Sequence, residues 1–316
     1  MAMGRVICIL ILAALCACSS DRHGSRLNSA YYWSTTLDLD STKLAFMKEH
    51  DVKRLYVRFF DIMPDDGGNP MPNATLRFNT AVPKDIEVVP TVFIVNDCMR
   101  RNTDGLAEKT LKRIMRMCET NDIGNVREVQ IDCDWTLGTQ RVFYKFADLM
   151  RRLCHEHGLK LSLTIRLHQL SQSPPPADRG VLMVYNTGDF TRLDCRKPIL
   201  DINDVKPYLR YLHDYHLPLS GAYPVYSWRI LFRAGRYVGI MHRDDDLPVL
   251  QGDSIVTRQP ELDDIMNARQ AIDSRREDTG RETIIFDLSN LNINRFKSAE
   301  YEEIFNSRYG DRNSLR

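Results

Sequence analysis

Asp132, Asp134 and Thr136 are spaced by two at the end of an apolar run that begins at Glu128. In an extended strand alternate side chains share a face. The spacing therefore puts both carboxylates and the hydroxyl on one side, opposite Ile131 and Cys133. Two carboxylates on one face repel, and one of them keeps its proton to higher pH. A carboxyl held protonated can act as a general acid beside its ionised neighbour. The plainer alternative is that one Asp caps the next helix and the other pairs with a buried Arg. Arg166 and His168 end another apolar run and share a face; Met183-Val184-Tyr185-Asn186-Thr187-Gly188 ends a third. His168 with Asp132 and Asp134 has the chemistry of a metal set. No ligand-spacing motif supports it, and neither metal nor cofactor is expected. Asp61, Asp97 and Asp287 are the other carboxylates at run ends, Tyr223 closes a further run, and Arg58 is placed to neutralise an interior Asp.

These residues need elements to hold them. Eight runs read as strands: Ala30 to Thr36, Arg54 to Phe60, Val88 to Val95, Glu128 to Cys133, Leu161 to Ile165, Val181 to Tyr185, Leu217 to Tyr223 and Thr283 to Phe286. Runs apolar on both faces suit a parallel sheet covered by helices. Helical stripes lie between them, over Leu106 to Glu119, Gln140 to His157, Asn203 to Tyr215 and Glu261 to Arg275. The second stops at Gly158, a good residue just past a helix end. About eight strands alternating with helices argue an α/β chain folded as a single (β/α)8 barrel over 30–316. The alternative is an open doubly wound sheet. No glycine-rich phosphate loop follows the first strand, which counts against a nucleotide-binding version. In a barrel, strand-end residues gather at the carboxyl face, where active sites sit. A long insert, 226–282, separates strands seven and eight. Ser227 to His242 reads as a hairpin turning at Ala234-Gly235. The insert is either decoration or a wall over the pocket, with Trp228 and Tyr237 able to stack on a sugar.

The Asp-x-Asp-Trp of strand four, paired with Met-Val-Tyr-Asn of strand six, resembles the family-18 glycosidases, the chitinase-like barrels. The resemblance implies that Asp132 and Asp134 match that family's two aspartates and Trp135 its aromatic. Tyr185 matches the tyrosine that supports the reacting acetamido group, with Asn186 as its neighbour. Two departures stand out. The family's acid is the Glu that closes the motif, and here that position is Thr136. Its Asp-Gly opening is Val129-Gln130 here. Either Asp134 acts as the acid with Asp132 raising its pKa, or another strand supplies the acid, or the barrel binds glycans without cutting them. Tyr185 then supports charge at the sugar. Trp135, Asn186, Arg166, His168, Tyr223, Trp228 and Asp287 are the expected substrate contacts.

The chain opens with Arg5, an apolar run from Val6 to Leu15 too short to span a bilayer, and small residues, which together read as a signal peptide over 1–17. Leu15-Cys16-Ala17-Cys18 resembles the bacterial lipobox, which implies cleavage before Cys18 and lipidation of its thiol. Cys16 fits less well, because it puts Ala13 where Leu is preferred. Several acyl chains anchor stably. Ser19 stands where Asp would signal inner-membrane retention, so the expected location is the outer membrane of the cell envelope. Residues 18–29 read as a polar tether. The net charge of +1 lacks the basic footprint of a nucleic-acid binder. Cys98, Cys118, Cys133, Cys154 and Cys195 are odd in number and lack CxxC spacing, so no disulfide framework or structural zinc site is expected.

Overall fold

The computed structural model describes residues 26–243 and 245–307; Cys18 and the signal segment lie outside them. The eight expected strands form: β1 Leu27–Tyr32, β2 Val52–Pro64, β3 Glu87–Ile94, β4 Glu128–Asp132, β5 Lys160–Arg166, β6 Arg179–Met183, β7 Leu219–Pro224 and β8 Glu282–Phe286. Each is parallel to its chain-order neighbour. β1 pairs with both β2 and β8, so the sheet closes into a barrel. β2 overruns its expected end and turns back on Pro70–Asn73 as an antiparallel hairpin at the carboxyl face.

Strand alternation divides the packing into two layers. Tyr31, Tyr56, Val89, Val181, Met183 and Ile284 fill the lumen. The opposite faces pack outward against five helices: α1 Ser41–Glu49, α2 Leu106–Thr120, α3 Gln140–Glu156, α4 Leu262–Asp273 and α5 Ser298–Asn306. α2 buries Leu106, Ala107, Leu111, Ile114 and Cys118 on one stripe, and α3 buries Phe143, Phe146, Ala147, Met150 and Cys154. Each large side chain taken from water in this way stabilises the fold by roughly 1.5–3 kcal/mol. Gly158, at φ +70°, turns the chain after α3 into β5.

Three expectations shift. β1 starts at Leu27, inside the expected tether. Asn28 and Ser29 are polar yet buried: Asn28 Nδ2 donates to the His50 carbonyl at 2.8 Å and Ser29 Oγ to Glu282 Oε1 at 2.6 Å. The helix expected over Asn203 to Tyr215 is one α turn, Ile202–Val205, followed by a 3-10 turn, Lys206–Tyr211. Pro207 lacks the N–H a continuous helix needs there. The insert contains the expected hairpin, Trp228–Arg233 with Arg236–Met241, and Ala234 and Gly235 both have positive φ, 48° and 76°. That is the two-residue turn matching strand twist. A third strand, Ser254–Arg258, pairs with the other side of Trp228–Arg233. This sheet leaves the barrel at the end of β7 and bridges the loop after β6 through Arg192 and Arg236. The helix that follows Ser254–Arg258 belongs to the barrel's outer layer: α4 buries Ile265, Ala268 and Ile272 against the barrel.

The amino end of the lumen is closed by charge. Glu282 accepts from Ser29, Tyr56, Arg54, Ser220 and Arg179. Arg179 also meets Glu128 at 3.4 Å, and Arg54 meets Glu87 at 3.1 Å.

Candidate active site

The carboxyl ends of β4, β5 and β6 converge on one cleft. β4 ends at Asp132, whose side chain is 7% exposed. Its Oδ1 accepts from Thr164 Oγ1 at 2.6 Å and from Arg166 Nη2 at 3.2 Å. Asp134 lies just past the strand, and Arg166 Nε donates to it. One guanidinium thus holds both carboxylates. Gln169 fixes this corner: its side-chain oxygen accepts from the Arg166 N–H at 2.8 Å, and its Nε2 donates to the Trp135 carbonyl at 3.0 Å.

The two carboxylates of the pair sit in different surroundings. Burial pushes the Asp132 carboxyl up, with Asp134 adding to the effect, against Arg166 and Thr164. Asp134, the expected acid, is 54% exposed at its side chain and is the ion-pair partner of Arg166.

Tyr185 sits in the lumen at the cleft floor. Its ring lies 5.0 Å from Phe286 and 6.0 Å from Tyr226, and its hydroxyl points at Met183 Sδ, 3.3 Å away. Burial raises its pKa, so it stays a neutral donor. Asn186 takes φ +55°, a left-handed conformation that Asn tolerates, and its Oδ1 accepts from Tyr226 OH at 2.5 Å. His168 lines the cleft from the 3-10 turn Leu167–Ser171. Desolvation lowers its pKa, which favours neutral imidazole. The cleft measures about 440 Å³, and Asp134, Thr136, Arg166, His168, Tyr185 and Asn186 contribute to its wall with Thr187, Asp204 and Tyr208. Thr136, where an acid would stand, offers only a hydroxyl, 3.4 Å from that of Thr139. Among the described residues no group of three His, Cys, Asp or Glu could hold a metal ion.

Two expected contacts face the wrong way. Trp135 is 1% exposed and stacks on Phe143 of α3, with ring centroids 6.1 Å apart, so it offers no face to a sugar. It shares the parity of Ile131 and Cys133, which point outward, and the same alternation that aligned the aspartates already implied this. Tyr223 is also 1% exposed. It folds back over Gly221, where a Cβ would come within 2.7 Å of its hydroxyl, and belongs to the outer core. Asp287 lies at the end of β8, after a cis peptide bond to Phe286, and is held by Asn292. Asp61 pairs with Arg58, as expected of that arginine, and Asp97 lies on the surface beside Arg100. Trp228 lies beside the cleft, its ring 5.5 Å from Tyr226 and 5.1 Å from Phe190.

The sequence reading missed other residues here. Trp33 follows β1 and stacks 5.6 Å from Phe286, with the Arg58 guanidinium 5.5 Å from its ring. Trp33, Phe286, Tyr226, Trp228 and Phe190 form a chain of rings along one side of the mouth. Tyr226 lies just past an expected strand end, which was the available signal; Trp33 fell inside the expected first strand, and only the observed end of β1 at Tyr32 places it at the mouth.

No family model matches this chain, and no curated protein matches it in sequence. Solved structures do. A chitinase from Chromobacterium violaceum ATCC 12472 superposes with a TM-score of 0.60 at 14% identity, covering 90% of this chain and 100% of that one. The fold is that of the chitinase-like barrels. The Bacillus megaterium QM B1551 spore cortex-lytic enzyme SleL gives 0.57 at 12% identity over 90% of this chain and 74% of its own. A chitinase from Bacteroides thetaiotaomicron gives 0.55 at 12% identity over 90% and 97%. Within this chitinase-like barrel, the cleft lies at the carboxyl ends of the strands, the end where barrels carry their sites.

Proposed function

We propose that this chain is a lipid-anchored envelope protein whose barrel holds a glycan in the cleft over β4, β5 and β6 and leaves its glycosidic bonds intact. The observation that carries the reading is the pairing of Thr136 with the Arg166–Asp134 ion pair. The Thr136 hydroxyl is far too weak an acid to protonate a leaving group, and Asp134, which lines the same cleft, is occupied by a guanidinium. Cleavage needs a group able to protonate the leaving oxygen, and in the family these motifs resemble that group is the Glu whose position is Thr136 here. The aromatic rings beside the cleft suit the apolar face of a sugar ring. The likeness to proteins titled chitinase supports a saccharide as ligand.

Within the aspartate pair, the feature that favours hydrolysis is the raised pKa of Asp132. That carboxyl lies beneath Arg166 with one oxygen already shared by Thr164 and Arg166, and its burial keeps it from a leaving oxygen. A glycan array tests the binding reading. The wild type is expected to retain at least one saccharide, and an array without any bound saccharide contradicts it. Anchoring rests on Leu15-Cys16-Ala17-Cys18. Mass spectrometry should find an acylated Cys18 at the mature amino terminus, and Cys18→Ala should release the protein from membranes. A mature chain beginning elsewhere, without acyl groups, contradicts the anchor.

A further inference from the structure

We propose that Arg295 is a positioning residue for glycan binding: by holding both feet of the three-stranded sheet, it keeps Trp228 in place beside the cleft. The inference rests on the glycan-binding reading above and names what fixes one of its binding surfaces. Trp228 opens the first strand of the sheet and Arg258 closes the last, and the two stand opposite each other in its register. The sheet is an excursion from the barrel, so its pose depends on what holds these two feet.

Arg295 lies between β8 and α5. Its Nη1 donates to the carbonyl of Tyr226 at 2.6 Å and its Nη2 to that of Pro260 at 2.8 Å. Tyr226 comes two residues before the first strand of the sheet, and Pro260 two residues after the last. A guanidinium is a flat, rigid fork, so it holds the two carbonyls at one separation. The Phe296 ring, 4.8 Å from the guanidinium, limits where the fork can point. Tyr226 is fixed from its other end too, by the hydroxyl that donates to Asn186, and its ring lies 5.5 Å from that of Trp228. The sheet's ties to the loop after β6 are weaker. Arg258 Nη2 donates to the Leu193 carbonyl at 2.8 Å in an exposed bond, and Arg192 and Arg236 form an isolated bridge. Water competes for an exposed bond, whereas the two Arg295 bonds are half-buried.

Arg295→Met keeps the stem over Phe296 and removes the fork. Calorimetric titration of the whole chain with an N-acetylglucosamine tetramer, and with each saccharide that a glycan array retains, measures the effect. Arg295→Met is expected to weaken binding by roughly threefold to tenfold, as loss of the Trp228 ring would. In a Trp228→Ala protein the same change should cost less than about twofold, because the ring it positions is already gone. Arg295→Lys can reach only one carbonyl and should fall between wild type and Arg295→Met. Near-UV circular dichroism reads the placement without a ligand: Trp228→Ala should change the spectrum of the wild type more than that of Arg295→Met. Should Arg295→Met not fold, the same cycle is run with Arg295→Lys. Additive losses in the two backgrounds overturn the assignment, as do equal dichroism changes, or an Arg295→Lys that binds like the wild type or does not fold. Failure of the wild type to bind any saccharide overturns the glycan-binding reading itself, and the dichroism comparison then decides alone whether Arg295 places Trp228.

Discussion

β4 begins with Glu128 and ends with Asp132, and each meets an arginine from a neighbouring part of the lumen, Arg179 at the amino end and Arg166 at the mouth. The two ends then diverge. At the amino end, Arg54 and Arg179 are enclosed with Glu87, Glu128 and Glu282, every one of them less than a fifth exposed. At the mouth, Arg166 bridges one buried carboxylate and one that is 54% exposed. The same pairing of guanidinium and carboxylates thus has two meanings. Where water is excluded on all sides it is part of the fold. Where one carboxylate opens into a cleft it is part of a site.

The largest expected effect lies at the closed end. Glu282→Gln leaves Arg54 and Arg179 short of a buried partner and should cost about 3–5 kcal/mol, the usual range for breaking a buried pair. Asp134→Asn at the mouth should cost less than about 1 kcal/mol. Urea unfolding of the two variants measures both, and equal losses would erase the distinction between the ends.

Acid sharpens the comparison. Burial alone would raise the Glu282 carboxyl, but Arg179 and Arg54 overcome it and bring it from 4.5 down to about 2. Its contribution is therefore full above the unfolded value near 4.5 and is lost as pH falls toward 2. Glu128 has the opposite sign. Burial pushes it up, so it costs stability where it is ionised and the cost is relieved in acid. The stability gap between wild type and Glu282→Gln should narrow as pH falls from about 5. A gap that stays constant with pH contradicts this assignment.

Trp135 and Trp228 make the next contrast. Trp135→Ala opens a void beside Phe143 and should cost about 3–5 kcal/mol. Trp228→Ala should leave stability within about 1 kcal/mol and weaken glycan affinity by roughly threefold to tenfold, as loss of one stacking ring does. If Trp135→Ala folded normally and lost only affinity, the parity argument would fail.

That argument shows how far the sequence could be read. The eight strands were legible because each carries closely spaced apolar residues, as in Val129 and Ile131 or Leu161, Leu163 and Ile165, even where the alternate positions are buried polar residues such as Gln130, Ser162 and Thr164. The convergence of Asp132, Arg166 and Tyr185 followed from their shared position at strand ends. Helix α1 was not legible: Leu44-Ala45-Phe46-Met47 is a solid apolar block without helical period, and only Lys43, Phe46 and Met47 are buried. The tether was read too long because Asn28 and Ser29 are polar, and only the enclosed Glu282 network shows why polar residues belong there. The Arg166 bridge needed coordinates. Strand alternation places side chains on a face, but it does not say which guanidinium reaches across two strands to which carboxylate.

The smallest effect expected is on chemistry, because the account predicts that there is none to lose. The most direct measurement is mass-spectrometric product analysis of the wild type incubated at length with the saccharide it binds best. The account predicts intact ligand, with the same result for Asp134→Asn. Shortened oligosaccharides from the wild type that disappear in Asp134→Asn would contradict it, and would make Asp134 the acid despite its arginine.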